Sequence, residues 1–327
     1  MTARRKALLT LASCVAALSL STPSQAQSAL PKGPITLVVP FAAGGATDIV
    51  SRLVAKKVTE KSGVSIVVDN VGGGGGVVGA QKVARAAKDG TVLLMGTVST
   101  HAINPIARGF SSYHPLKDFT PVSLVATVPN VIVVNPGVSA QNVRELIVLI
   151  KSQPGKMSYG TSGVGTPPHL SGELFKSMAG LDIEHVPYKG GGPAMTDLIS
   201  GNIPVLFDVL TGAASHIKGG RARAIAVTTP QRSPSFPDVP TVAESGLKGY
   251  ETYTWNAIFG PAGMPPAVAA ALAKEFQRAV AEPDVQEKFK ELSAIPVGST
   301  PEALTAHVKA ELDKWGPVIK AIDLKLE

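Results

Sequence analysis

Three stretches of this chain hold residues whose types and spacing could do chemistry. In "SIVVDNVGGGGGVVGAQKVARAA" a β-branched run leads into five glycines, Gly72 to Gly76, and then a helix-like segment. Gly74, Gly76 and Gly79 match G-x-G-x-x-G, the spacing with which a strand-to-helix turn holds a dinucleotide pyrophosphate. In "PFAAGGATD" the residues Phe41, Gly44, Gly45, Ala46, Thr47 and Asp48 join a strand to a helix. In "YGTSGVGTPPHL" Ser162, Gly163, Gly165, Thr166 and His169 do the same further along. Such corners leave unpaired backbone N–H groups at the positive end of a helix, which suits an anion.

The dinucleotide reading lacks its second half. An acid should end the next strand and take the ribose hydroxyls. Here that strand, "TVLLMGTVST", ends in Gly96-Thr97, and Asp89 lies before it. The glycines also occupy a second strand–helix turn rather than a first. No nucleotide and no other cofactor is expected. The competing reading of Gly72 to Gly76 is a flexible turn or a close helix–strand contact.

The corner at Gly44-Gly45 is the stronger anion candidate, because it directly follows a buried-strand pattern, Ile35 to Val39. Thr47 or Asp48 could cap the helix there, and Asp48 reads as a cap and dipole partner rather than a base. With the Ser162 to Thr166 corner across a cleft, the two could grip one carboxylate through N–H and hydroxyl groups. A hydrolase would need Ser162 as nucleophile and His169 as base, but Gly160-Thr161-Ser162-Gly163-Val164 misses the last glycine of G-x-S-x-G. The six histidines are scattered, no H-E-x-x-H is present, and no metal site is expected. His185 reads as packing. Tyr188 and Lys189 either reach the cleft or are solvated.

The elements that must position these corners alternate. Ile35 to Val39, Ser65 to Val68 and Val92 to Met95 read as strands, with helices from about Thr47 to Lys61 and up to about Ala87. Repeated units of this kind imply α/β architecture, with parallel sheets covered by helices on both faces. The runs Val122 to Thr127 and Val131 to Val134 meet at Pro129 with no helix between them, and read as a crossover into a second domain. That domain repeats the pattern, with helices Asn142 to Lys151, Leu170 to Met178 and Ala194 to Ser200. Its strands are Met157 to Tyr159, Ile183 to Val186, Val205 to Phe207 and Ala224 to Val227. A second crossover lies near Gly249 to Pro261. Two long helices follow, one carrying Val268, Leu272, Phe276 and Val280. The last carries Leu304, Val308, Leu312, Trp315 and Ile319, with Ser299 or Thr300 as cap.

Composition limits the function classes. The first 26 residues have a basic start (Arg4, Arg5, Lys6), an apolar run from Ala7 to Leu20 and a small-residue end, as in a cleaved export signal. A lipoprotein box ending at Cys14 is the alternative. Cys14 is the single cysteine of the 327 residues, so a processed chain has no thiol chemistry. Without the leader the formal charge falls from +7 to about +4, with no basic tract, which argues against nucleic acid. No later run reaches the ~20 apolar residues needed to span a bilayer, so no membrane insertion of the mature chain is expected.

Several long stretches, in order, resemble one family. "PITLVVPFAAGGATDIVSRLVA", "GTVSTHAINP", "YGTSGVGTPPHLSGELFKSMAG", "HVPYKGGGPAMTDLISG" and "RSPSFPDVPTVAESG" are similar to the Bug family, the extracytoplasmic solute receptors of tripartite tricarboxylate transporters. The resemblance implies a type II periplasmic-binding-protein fold that closes on its ligand like a trap. It implies a small carboxylate held by Phe41 to Asp48 and by Ser162 to His169, and membrane transporter subunits as partners. "PFAAGG" and "DNVGGGGG" depart from the commoner family forms "PFPPGG" and "ENRPGAGG", which leaves the ligand's identity open.

The combined expectation is a monomeric, non-enzymatic periplasmic receptor. Lobe 1 would comprise residues 27–128 plus 253–327 and lobe 2 residues 129–252, hinged by the two crossovers. Thr97, Thr100 and Asp208, at strand ends, would orient the rest of the ligand. The alternatives are the secreted hydrolase built on Ser162 and His169, and a periplasmic sensor that passes ligand occupancy to a membrane kinase.

Overall fold

The computed structural model describes residues 30–321 together with 324 and 326. The expected leader over residues 1–26, with its Cys14 alternative, lies outside them. The chain begins β1 (Ile35–Val39), α1 (Ala46–Ser62), β2 (Ile66–Asn70), α2 (Val77–Ala84) and β3 (Val92–Thr97). A wide helical turn, Ser99–Ile103, leads into the short α3 (Asn104–Ala107) and then β4 (Phe119–Val134). Next come α4 (Val143–Lys151), β5 (Ser158–Thr161), α5 (Pro167–Ala179), β6 (Glu184–Pro187), α6 (Gly191–Ile199), β7 (Val205–Val209), α7 (Leu210–Lys218) and β8 (Arg223–Val227). The chain closes with β9 (Tyr253–Pro261), α8 (Pro266–Ala281), α9 (Pro283–Glu291), β10 (Ile295–Pro296) and α10 (Pro301–Ala321).

The strands run in the order β2-β1-β3-β9-β4-β7-β5-β6, with β8 and β10 also on β4. The expected break at Pro129 is absent, because β4 is one strand of 16 residues. Its first part pairs with β9 as far as Pro129 opposite Tyr253, and its last part pairs with β7 from Asn130 opposite Val209. Pro129 has no N–H to give a ladder, and it stands where β4 changes partners, a place a strand can tolerate proline. The two crossovers are therefore neighbours: Val128 faces Thr254 across the β4–β9 pair.

Parallel pairing holds within β2-β1-β3 and within β6-β5-β7. The crossing strands are antiparallel, β9 to β3 and β4, and β4 to β7 and β8. A strand that returns without a helix must run antiparallel, so the crossovers carry that direction.

Strand alternation places the core on both faces. In β1, Leu37 and Val39 pack with Val54, Leu272 and Phe276, while Val38 packs on the other side with Leu94, Trp255 and Phe259. In β4, Ile132 and Val134 join Tyr159, Phe175 and Phe207, while Val131 and Val133 join Leu198, Leu206 and Leu210. Each half of the sheet thus buries two apolar layers under helices. Burial of this kind supplies roughly 1.5–3 kcal/mol for each large aliphatic side chain.

Helices α7 and α9, like the short α3, go beyond the expected set. The first starts one residue after β7 ends, with no loop to signal it, and α9 buries only Val285 and Phe289 in a charged segment. Thr300 is the cap of α10, accepting from the Ala303 amide, while Ser299 Oγ serves the Leu124 amide. Among the described residues no helix is long and apolar enough to cross a membrane.

Candidate functional site

Parallel strands point their carboxyl ends the same way, and the helices that follow start there. The ends of β1, β3, β5 and β7 surround a cavity of about 30 Å³. One half of the sheet contributes Phe41, Gly45, Ala46 and Thr47, with Thr97 and Thr254. The other contributes Ser162, Thr166, Pro167 and Pro168, then Gly191, Asp208 and Val209.

Three helix starts meet in this wall: α1 after Gly45, α5 after Thr166 and α6 after Gly190. Gly45 and Gly190 bring no side-chain cap, so backbone N–H groups remain for other partners. The approach is close: a Cβ on Gly45 would stand 3.4 Å from the Gly191 nitrogen. Together the helix ends supply positive potential to one small volume. The α5 corner gives fewer amides than expected. Pro167 and Pro168 have none, the Gly163 amide donates to Thr161 Oγ1, and the Gly165 amide donates to His169 Nδ1. Its free contributions to the cavity wall are Ser162 and the helix end itself.

Of the residues singled out above, Phe41, Gly45, Ala46, Thr47, Thr97, Ser162, Thr166 and Asp208 come together here. Asp48, Thr100 and His169 stand behind the wall. Asp48 Oδ2 accepts from the Gly44 amide and from Arg52 Nε, and Oδ1 accepts from Asn70 Nδ2, all at 3.0 Å. Burial opposes its charge, but these donors outweigh it and hold the carboxyl below its usual range. Asp48 therefore shapes the Gly44 turn rather than capping α1. Thr100 Oγ1 accepts from the Thr97 amide at 2.9 Å and fixes the end of β3. His169 stacks on His185 with ring centroids 4.4 Å apart. Burial lowers the pKa of both rings, His185 to about 3, so both are neutral. His169 Nδ1 is taken by Gly165 and no hydrogen bond joins His169 to Ser162, so the hydrolase geometry is not assembled. His185 is packing, as its residue pattern suggested, bonded to Thr161 Oγ1 at 2.7 Å.

Two side chains face the cavity unspent. Thr97 is 3% exposed and its Oγ1 has no hydrogen-bond partner. Asp208, at the end of β7, is 2% exposed. Burial raises its pKa to about 7 against the lowering effect of the Val209 amide. Gly191, Val209 and Thr254 were missed as wall residues. Gly191 had a signal, since "YKGGGPA" is a third glycine corner before a helix.

The five-glycine run has a different task. A Cβ on Gly75 would lie 2.2 Å from the Val164 carbonyl, and one on Gly79 would lie 2.9 Å from Pro40 Cα. These glycines let α2 approach β1 and let the two halves of the molecule touch. Gly73 to Gly76 also line a second cavity of about 210 Å³ with Tyr188 and Lys189, which shares Phe41 and Ser162 with the first. Tyr188 Oη is committed to Asp197 at 2.7 Å. Among the described residues no cluster of His, Cys, Asp or Glu is arranged to hold a metal ion.

The chain is similar to known proteins over most of its length. A family model described as tripartite tricarboxylate transporter family receptor matches residues 50–324. The periplasmic binding protein BugD superposes with a TM-score of 0.88 at 35% identity, covering 91% of this chain and 100% of its own. Rpa4515 of R. palustris with adipate gives 0.86 at 37%, covering 90% and 98%. MatC of Rhodopseudomonas palustris with bound malate gives 0.84 at 31%, covering 89% and 100%. The matched proteins are solute-binding receptors, not enzymes.

Proposed function

This chain belongs to the tripartite tricarboxylate transporter receptor family, and from that premise we propose that it captures a small carboxylate in the periplasm and delivers it to the membrane subunits of such a transporter. The observation that carries the proposal is the meeting of three helix starts and the unpaired Thr97 hydroxyl around one cavity. Amides of Ala46 and Thr47 and the Ser162 hydroxyl would take the carboxylate oxygens, directly or through ordered water. Adipate and malate in two relatives make organic acids the chemistry to test first.

Capture works by closure. Residues 27–128 plus 253–327 act as one lobe and residues 129–252 as the other, turning about the adjacent Pro129 and Tyr253. The ligand must favour the closed form, since only differential affinity shifts a population. Closure brings surfaces of both lobes into one fixed relation, which the membrane subunits can read. The chain acts as a monomer after its leader is removed.

A thermal-shift screen of the mature chain against mono-, di- and tricarboxylates tests the proposal. A binder at 100 times its dissociation constant stabilises by about 2.7 kcal/mol, enough to raise the melting midpoint by several degrees. At least one acid should do so while its neutral amide does not. If no organic acid shifts the midpoint, the carboxylate assignment is wrong.

A further inference from the structure

Asp208 has no partner to explain its burial. It receives a hydrogen bond from the Val209 amide, and none of the described lysines or arginines pairs with it. A carboxylate that is 2% exposed normally has a cation or several donors around it, because desolvating it costs several kcal/mol. The surroundings are instead shaped to leave its oxygens open. A Cβ on Gly191 would lie 2.7 Å from Oδ1, and one on Gly212 would lie 3.3 Å from Oδ2. Glycine at both positions keeps side chains off the acid.

The acid is also beside the anion-binding corner. That same Cβ position on Gly212 is 3.3 Å from the Ala46 nitrogen. The amide that would hold a ligand carboxylate and the carboxyl of Asp208 thus both touch one point. A plain carboxylate gripped at Ala46 would offer no donor to the open oxygens of Asp208, and would repel that group wherever it ionises. A ligand with a donor next to its carboxylate would meet both: anion to the helix start, donor to the acid. Thr97 Oγ1, also unpaired, can serve either group.

Resting on the carboxylate reading above, we propose that Asp208 sets the specificity of this cleft, selecting acids that carry an ammonium or hydroxyl group beside the bound carboxylate. An unmet acceptor on the protein is why the selection is strong. The analogue without the donor leaves a buried carboxyl oxygen unpaired, a larger loss than the contact itself.

The test is calorimetric titration of the mature protein with two matched series: propionate, lactate and alanine, and succinate, malate and aspartate. In at least one series the hydroxy or amino acid should bind about ten-fold or more tighter than the unsubstituted acid. Asp208→Asn, which keeps the shape but adds a donor, should bring members of that series within about three-fold of one another. If Asp208 were merely structural at the end of β7, the variant would weaken all members alike and leave the ratio. Wild-type protein that binds succinate or propionate as tightly as its substituted analogues overturns the proposal without any variant. An unchanged ratio in a folded Asp208→Asn does the same. Acids that bind without discrimination leave the receptor reading standing, whereas the absence of all acid binding removes both.

Discussion

The amide of Ala42, in the corner after β1, donates a 3.0 Å hydrogen bond to the carbonyl of Lys189, in the corner before α6. This bond joins the two halves of the sheet backbone to backbone. The contact is possible because glycines face each other across it. A Cβ on Gly190 would lie 2.9 Å from the Ala42 nitrogen, and one on Gly192 would lie 2.6 Å from the Ala43 carbonyl oxygen. This approach of the two corners therefore depends on missing side chains as much as on any contact made.

Gly192→Ala isolates that dependence. Gly192 sits in the first turn of α6 and needs no left-handed backbone, so alanine should not harm the half that contains it. The clash is with backbone of the other half and cannot be relieved by a rotamer. Ligand affinity should fall by about ten-fold or more, and small-angle scattering should show no compaction on adding ligand. Wild-type compaction in Gly192→Ala would show that the two corners need not meet.

A second tie runs through Asn104. Its Nδ2 donates to the Gly165 carbonyl at 2.8 Å and lies 3.2 Å from the Gly75 carbonyl, while Ser99 Oγ lies 2.7 Å from Gly165 O. In Asn104→Ala the single proton of Ser99 Oγ must serve both the Gly75 and Gly165 carbonyls, so one is left unpaired when the protein closes, a cost of about 1–3 kcal/mol. Opened, those groups meet water. Affinity measured by titration should drop between about five- and a hundred-fold, mostly through faster release in stopped-flow. An unchanged release rate would place Asn104 outside closure.

Thr97→Val separates binding from folding. The hydroxyl has no partner in the protein, so a methyl in its place should leave the melting midpoint of the free protein within about a degree or raise it. The ligand loses a hydrogen bond worth about 1 kcal/mol, so affinity should fall about five-fold. A large loss of stability would mean that the hydroxyl serves the fold.

Much of this site can be read from the residues, because glycine corners between strand and helix patterns are local signals. Gly44-Gly45 and Ser162 to Thr166 stand where that grammar puts them. Thr100, His169 and Asp48 look equivalent in sequence to Thr97 and Ser162 but stand behind the wall, since their side chains accept from the Thr97, Gly165 and Gly44 amides instead. The continuous β4 escapes notice because Pro129 reads as a stop, and only the change of pairing partner makes it permissible. Thr254 lies on β9, and its place at the site is set by the β4–β9 pair, a long-range contact with no local trace. The antiparallel direction of β9 is of the same kind.

Asp208 should make stability depend on pH. Its pKa rises from the ordinary 3.8 to about 7 on folding, so the folded state keeps a proton that the unfolded chain has released. The stabilisation is complete below pH 3.8 and is lost as pH climbs through 7. His216 shares a cavity wall with Asp208 and has a lowered pKa, from burial and then from Arg221, so it titrates in both wild type and variant. From pH 5.5 to 8 the unfolding free energy of wild type, relative to Asp208→Asn, should fall by about 2 kcal/mol. Denaturant titrations at the two values measure it. No difference between the proteins would mean that Asp208 is ionised throughout.

The most direct measurement is a crystal structure of the mature protein with an acid found by the thermal screen. The carboxylate should lie within hydrogen-bond distance of the Ala46 or Thr47 amide, or one water away. Ser162 should approach it from the opposite half, and the Ala42–Lys189 bond should be intact. An acid bound on one half alone, or outside the space between these helix starts, would contradict the idea that two corners close on one anion.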